Sequence, residues 1–469
     1  MLRGARSPFP RVLAAAALVA AAALARPAPA AAHTGLRAST PGAGDTVADT
    51  LGRIRLEFTA RVAPEMTFLV ITSGADTVAA GRLAEEPGSG GRAFVFSLPG
   101  LLPPGPCTVA WRGAAADGHV VHGTFRLTVV RSRPVVVVAA ASAQPSVDAA
   151  EDEAADEEAQ WSDPSSPLPV LVRWAGLLAL LGMIGAAAFD LSVLRRLRVY
   201  PALDGVVARA ARGAWRLAAA AAALSALALL ARLWLQSVAL YGAADAFDGE
   251  ALRRLLTGTV WGAGWTLQAV ATVAFCIGLM VSRAPHGRSV GWMGAAVAAL
   301  LLAAVPALSG HAAAVERAAA PALAADWLHV LGAGAWVGTL GTLVLAGLPA
   351  AAFAAEGERT DAFARMVRAF SPVALAGGAL AGATGVANAL FHLGAVPQLW
   401  ETAYGRALLL KLALLAVVAG LGYYHWRYVL PGLDAPETPA RLRRSAATEL
   451  AAGVAVILVT AVLVALPPP

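Results

Sequence analysis

Ala30-Ala31-Ala32-His33 divides the chain. Upstream of it, Arg3 and Arg6 give a positive start, Val12 to Leu24 is an apolar run, and Ala30 and Ala32 fit the small-residue pattern of a cleavage site. Residues 1–32 therefore read as a secretory signal peptide. Cleavage after Ala32 would make His33 the first residue of an exported chain. An amino-terminal histidine offers a free α-amino nitrogen and an imidazole on one residue, a pair that can chelate a metal. The alternative at this point is a cut elsewhere, with His33 simply an early residue of the domain.

Composition sets the frame. The chain has 469 residues, of which 58% are hydrophobic and 14% charged, far from the balance of a soluble protein. Because the apolar residues concentrate after residue 165, the expectation is a membrane protein with a soluble front end. The net charge of +6 does not point to nucleic acid, since the arginines sit mostly between apolar segments, where membrane topology explains them. Cys107 and Cys276 fall in different regions, so neither a disulfide framework nor a two-cysteine metal site is expected.

Residues 33–130 read as a compact β domain. Ile54-Arg55-Leu56-Glu57-Phe58 and Thr124-Phe125-Arg126-Leu127-Thr128-Val129 alternate apolar and polar, as Phe94-Val95-Phe96-Ser97-Leu98 does in part. Pro41-Gly42, Pro87-Gly88, Pro103-Pro104-Gly105 and Asp117-Gly118 punctuate these runs. Short strands at this spacing suggest an all-β, Greek-key (Ig-like) sandwich or barrel. Residues 131–166, rich in alanine, proline and serine with an acidic run from Asp148 to Glu158, read as a disordered acidic linker.

Residues 167–469 read as an all-α polytopic bundle. About eight segments have the roughly 20 apolar residues that span a bilayer: 168–190, 207–240, 260–281, 290–309, 321–348, 367–392, 404–427 and 446–466. Arg195, Arg196 and Arg198 follow the first, Arg283 and Arg288 the third, Arg359 and Arg365 the fifth, and Arg441, Arg443 and Arg444 the seventh. The other loops hold fewer arginines, with Arg253, Arg254 and Arg317 as exceptions. The bias puts the arginine-rich loops in the cytoplasm and both mature ends outside, where the signal peptide also sends the β domain.

Two sets of residues carry candidate chemistry. In Asp117-Gly118-His119 the carboxylate and the imidazole are two apart, on one side of an extended segment. With His33 they would give a nitrogen-rich site with one oxygen, a set suited to Cu(II). The competing reading is a hairpin turn at Asp117-Gly118 with His119 on the surface. In the membrane part, Asp326 and His329 are i and i+3 on the fifth helix, His311 ends the fourth, and His392 ends the sixth one turn after Asn388. Ionisable residues inside a bilayer are costly and mark functional sites by default. All four lie near the outer side on this topology, and His311 is expected to approach His329 across the interface of the fourth and fifth helices. The competing reading makes His311 and His392 interfacial caps and pairs Asp326 with an arginine. His122 is a spare ligand or an exposed residue, and His286 and His425 fall near the cytoplasmic side.

The stretches His33, Ser39-Thr40-Pro41 with Gly42 and Gly44, Arg55-Leu56-Glu57-Phe58-Thr59, Cys107-Thr108-Val109-Ala110-Trp111-Arg112, Ala116-Asp117-Gly118-His119 and Gly123-Thr124-Phe125 resemble the periplasmic copper-binding family CopC. That resemblance implies that His33, Asp117 and His119 ligate Cu(II). Only Met66 is present in the domain, so the methionine-rich Cu(I) site of some members is not expected. Residues 167–469 resemble the membrane family CopD. The stretches are Gly310-His311-Ala312-Ala313, Ala325-Asp326-Trp327-Leu328-His329-Val330 through Gly334-Ala335-Trp336-Val337-Gly338, Arg368 with Phe370 and Ser371, Thr384-Gly385, and Tyr404-Gly405-Arg406 with Lys411.

The two resemblances imply a non-enzymatic copper-import protein of the inner membrane, with its amino-terminal domain in the periplasm or extracellular space. Its partners would be the copper ion, the lipid bilayer and periplasmic copper donors or acceptors, not nucleic acid. No Walker loop or phosphorylation motif indicates drive by ATP. Two other functions compete. One is a membrane redox protein that reduces copper or carries haem, which would need histidine pairs at matched depths. The other is a copper chaperone for exported cuproenzymes.

Overall fold

The computed structural model describes residues 35–74, 76–115, 120–131, 166–243, 245–309, 319–355, 358–393, 395–424, 427–428 and 438–466. The front part is a β sandwich. One sheet orders β1 (Leu36–Thr40), β3 (Arg53–Phe58), β7 (Ala93–Ser97) and β6 (Ala84–Glu85). The other orders β2 (Thr46–Ala48), β9 (Val120–Val130), β8 (Gly105–Ala114), β4 (Phe68–Ser73) and β5 (Asp76–Arg82). The pairings are antiparallel except β2 with β9.

The alternation in the sequence becomes the core. Ile54, Leu56 and Phe58 of β3 face Cys107, Val109 and Trp111 of β8 and Phe125, Leu127 and Val129 of β9, all buried. The Phe58 ring meets Trp111 edge-on with centroids 5.1 Å apart, and Phe94 likewise at 5.7 Å. Gly123 is glycine for a reason of space: a Cβ there would lie 2.7 Å from the Trp111 indole. The segment Leu233–Ala263, which contains the short helix Gly249–Gly258, belongs to the same compact unit as this domain. There, Phe68 meets Tyr241 edge-on with centroids 6.3 Å apart.

Among the described residues, eight helices are long and apolar enough to cross a membrane: α1 (Pro167–Leu197), α2 (Pro201–Tyr241), α3 (Val260–Val281), α4 (Arg288–Ala307), α5 (Ala320–Ala351), α6 (Arg359–Phe391), α7 (Ala403–Tyr424) and α8 (Arg443–Leu463). α6 begins well before the expected 367. Its early arginines lower the local hydropathy, yet Ala362, Phe363, Ala364 and Met366 between them are buried against α1 and α2 residues. In the short helix Gly249–Gly258, Arg253 and Arg254 both pair with Glu250, at 2.7 and 3.0 Å. Hydrogen bonding from Arg253 holds that carboxyl at about 2. Two of the three arginines that depart from the charge bias, Arg253 and Arg254, thus share an acidic partner, and the third, Arg317, lies outside the described residues.

Helices in lipid gain little from burying apolar side chains against one another, so close backbone approach at small residues carries much of the packing. Gly185 of α1 and Gly338 of α5 touch so closely that a Cβ on either would overlap the other helix's backbone. Gly332 of α5 lies against α6 in the same manner, where a Cβ would meet the Ala381 nitrogen at 2.7 Å and the Gly377 oxygen at 2.8 Å.

Asp190 lies in a π-helical turn of α1 and is fully buried. Arg198 donates to both its carboxylate oxygens, at 2.9 and 2.8 Å, and Arg288 at the start of α4 donates to one at 2.6 Å. The trio joins the end of α1 to the beginning of α4. Removing the buried Asp190 leaves two partly exposed arginines side by side without their shared acceptor. Asp190→Ala is therefore expected to lower the thermal unfolding midpoint of the purified protein by many degrees. An unchanged midpoint would mean that the trio adds nothing to stability.

Candidate functional site

In the β domain, local pairing fixes what flanks the expected ligands. The Gly35 amide donates to Thr59 Oγ1 and the Thr59 amide to the Gly35 carbonyl, both at 2.9 Å. Three residues on, Val62 bridges Ala115, and the Ala63 amide donates 2.7 Å to the Ala114 carbonyl. Thr59 to Val62 can span no more than roughly 10 Å of chain. The described end of the chain at Gly35 and the tip of the β8–β9 hairpin at Ala115 are therefore tied to one end of the sandwich. His33, Asp117 and His119 lie outside the described residues, just beyond these anchors. His122 stands in β9 opposite Arg112 and is exposed.

In the bundle, Asp326 and His329 lie on α5 as one face. The His329 Nδ1 is 2.9 Å from the Ala381 carbonyl oxygen of α6. A carbonyl only accepts, so Nδ1 carries the proton and donates. That fixes the tautomer and leaves Nε2 with its lone pair free for a metal. Thr384 Oγ1, 3.4 Å from the same Nδ1, itself donates to the Leu380 carbonyl at 2.6 Å. Gly385 makes room for the ring: a Cβ there would come within 3.2 Å of Cε1. The close crossing at Gly332 and Gly377 is what brings the imidazole against α6.

Asn388, one turn further along α6, donates from Nδ2 to Asp326 Oδ1 at 3.2 Å. Tyr404 and Lys411 of α7 both interact electrostatically with Asp326, and Lys411 with His329 as well. A carboxylate and an ammonium within a membrane-spanning bundle are costly, and each lowers the cost of the other by its opposite charge. The helix rise of about 1.5 Å per residue puts Asp326 roughly 9 Å and His329 roughly 14 Å along α5 from its first residue. Three helices thus contribute to one polar cluster inside an apolar bundle.

Nδ1 of the imidazole faces α6, while the expected approach of His311 to His329 falls outside the described residues. α4 and α5 are neighbours, joined by a hydrogen bond of 3.0 Å from Trp327 Nε1 to the Leu300 carbonyl, but that bond uses the indole beside Asp326 and not His329. His311 and His425 lie outside the described residues, as does the side chain of His392 at the end of α6. His286 is exposed, with a left-handed backbone (φ 64°) in the turn between α3 and α4. Among the described residues no three His, Cys, Asp or Glu side chains gather as a metal cage. Cys276 is exposed on α3 and Cys107 is buried in the sandwich core.

Thr384, Tyr404 and Lys411 had no role assigned by periodicity or spacing. One signal was available: Lys411 is the only lysine in a chain with 36 basic residues. Where arginine serves every other basic position, a lone lysine in the middle of an apolar helix marks a place that needs a compact ammonium.

Residues 36–130 match the family described as CopC domain, 164–321 the one described as Copper resistance protein D-like, N-terminal domain, and 364–463 the one described as Copper resistance protein D. Over 447 residues the chain is 26% identical to "Copper transport protein CutJ" of Bacillus subtilis (strain 168), covering 93% of this chain and 75% of that protein. Among solved structures, CopC from Methylosinus trichosporium OB3b is 27% identical, with 22% of this chain and all of that chain covered and a TM-score of 0.20. The Escherichia coli protein titled "PcoC, a Methionine Rich Copper Resistance Protein" is 25% identical, with 21% and 99% covered and a TM-score of 0.18.

Proposed function

We propose that this chain, a CopC domain followed in one polypeptide by the copper resistance protein D membrane region, binds copper as Cu(II) outside the cell membrane and carries copper inward through its bundle. The matched families support copper handling. In it, residues 1–32 are removed, and the amino nitrogen and imidazole of His33 bind Cu(II) together with Asp117 and His119. Copper then passes to the outer mouth of the bundle, where His329 Nε2 and the Asp326 carboxylate receive it, with His311 and His392 as further donors on the path. Imidazole and carboxylate hold copper less tightly than a thiolate cage, as a transfer site requires.

The observation that carries this reading is the polar cluster around His329, with its tautomer fixed by Ala381 and its carboxylate neighbour balanced by Lys411. A structural pair alone would not need an imidazole set with a lone pair free. Copper content of cells with and without the gene tests it. Expression should raise cellular copper, and equal content in the two strains would remove the import reading.

The arginine bias supports an orientation in which the odd-numbered helices run inward. Reporter fusions after Arg198 and after Arg444 are expected to read cytoplasmic and a fusion at Pro469 to read external. A cytoplasmic reading at Pro469 would contradict eight crossings from an external β domain.

A further inference from the structure

A concavity lies far along the chain from the His329 cluster, where α3 ends and α4 begins beside α2. It encloses about 260 Å³ and is lined by Arg212, Trp215, Arg216, Arg283, Arg288 and Trp292, together with small residues and Ser282. We propose that it binds the phosphate-bearing headgroup of an anionic phospholipid.

Four arginines, two on α2, one at the start of α4 and one in the turn after α3, converge on this space, and among the described residues no carboxylate, histidine or cysteine lines it. Such a lining repels a metal cation and suits a phosphodiester, which guanidinium groups recognise by paired donors. The arginines are held in place rather than scattered over a loop. Arg283 stacks over the Trp215 ring at 4.1 Å, and the Trp215 Nε1 donates to the Leu279 carbonyl at 3.0 Å. Arg288 gives one nitrogen to Asp190, while its Nε is buried with no hydrogen-bond partner among the described residues. A buried donor without an acceptor is costly, and a phosphate oxygen is the acceptor this pocket calls for. Asp190 offsets only one of the charges contributed by Arg198 and Arg288, so the region keeps a positive surplus.

The depth fits as well. Ser282 and Arg283 directly follow the last residue of α3, and Arg288 is the first of α4, so the pocket opens at the membrane–water boundary. The same two helices present Met280, Val290 and Met293 outward, 70%, 70% and 57% exposed, a surface for acyl chains beside the headgroup. Basic pockets between helices on the cytoplasmic side are where cardiolipin and similar headgroups are held. The arginine bias places this end of the bundle there, although the chemistry of the pocket does not depend on the direction of copper movement.

The test uses the purified full-length protein in detergent, with native mass spectrometry and thermal unfolding as readouts. Phosphatidylglycerol or cardiolipin should stay bound and raise the unfolding midpoint, and phosphatidylcholine should do neither. Arg212→Gln with Arg283→Gln should weaken retention of the anionic lipid about 30-fold, from the roughly 1 kcal/mol that each basic residue contributes. The Arg212→Lys and Arg283→Lys pair keeps the charge but loses the paired donors and the stacking on Trp215, so it should recover only part of the retention, and that partial rescue separates lost binding from misfolding. Equal stabilisation by phosphatidylcholine, undiminished retention by the glutamine variant, or the full shift produced by inorganic phosphate alone would each overturn the proposal.

Discussion

Adding a single residue ahead of His33 will weaken Cu(II) binding by the full-length protein at least about 100-fold, beyond the 10–100-fold typical of losing an outer-shell partner of a metal ligand. The extension moves the α-amino nitrogen away from the imidazole and turns it into an amide, which removes one donor and breaks the chelate. Gly35 is pinned to Thr59 by two hydrogen bonds, so the displaced terminus has little slack with which to restore the geometry. Protons compete for the same nitrogens. An ordinary α-amino group titrates at about 7.7–8.0 and an imidazole at about 6.5, and both must be deprotonated to bind. Affinity is therefore expected to fall as pH drops below neutrality. The extended protein, which lacks the amino ligand, should show a shallower fall. Competition titration against a calibrated chelator measures both effects. Equal affinities for the native and extended proteins would exclude amino-terminal chelation.

His329→Ala will abolish copper accumulation by cells while leaving Cu(II) binding at the β domain unchanged. The substitution removes one hydrogen bond, to the Ala381 carbonyl, worth about 0.5–1.5 kcal/mol, so the protein should still fold. Asp326→Asn should do the same less severely: it keeps the shape and the contact with Asn388 but removes the charge that Lys411 balances. Whole-cell copper content and the amount of folded protein in the membrane, measured together, decide the matter. Normal accumulation by a folded His329→Ala protein would make the histidine structural and move the copper path elsewhere.

Much of the fold was legible because period and length are physical constraints. The alternation in Arg53–Phe58 and Thr124–Val129 could bury a face only as strands, and a sandwich core formed from those residues. The eight apolar runs could satisfy their backbone in lipid only as helices. The early start of α6 was hidden because arginines interleave with the apolar residues that it buries. The site was legible one helix at a time: Asp326 and His329 declare a shared face by spacing. Which helix that face meets depends on where backbones approach, and the close contact of Gly332 with Gly377 and Ala381 is a property of two segments distant in sequence. Spacing alone therefore did not single out α6, whose small-residue face receives the Nδ1 side of His329.

The central claim is that copper crosses the bilayer through this bundle, and flux into sealed vesicles tests it most directly. Vesicles reconstituted with the full-length protein and given external copper should accumulate it over time. Vesicles holding the His329→Ala protein should match protein-free ones. Uptake by the native protein no faster than that of protein-free vesicles would contradict the claim.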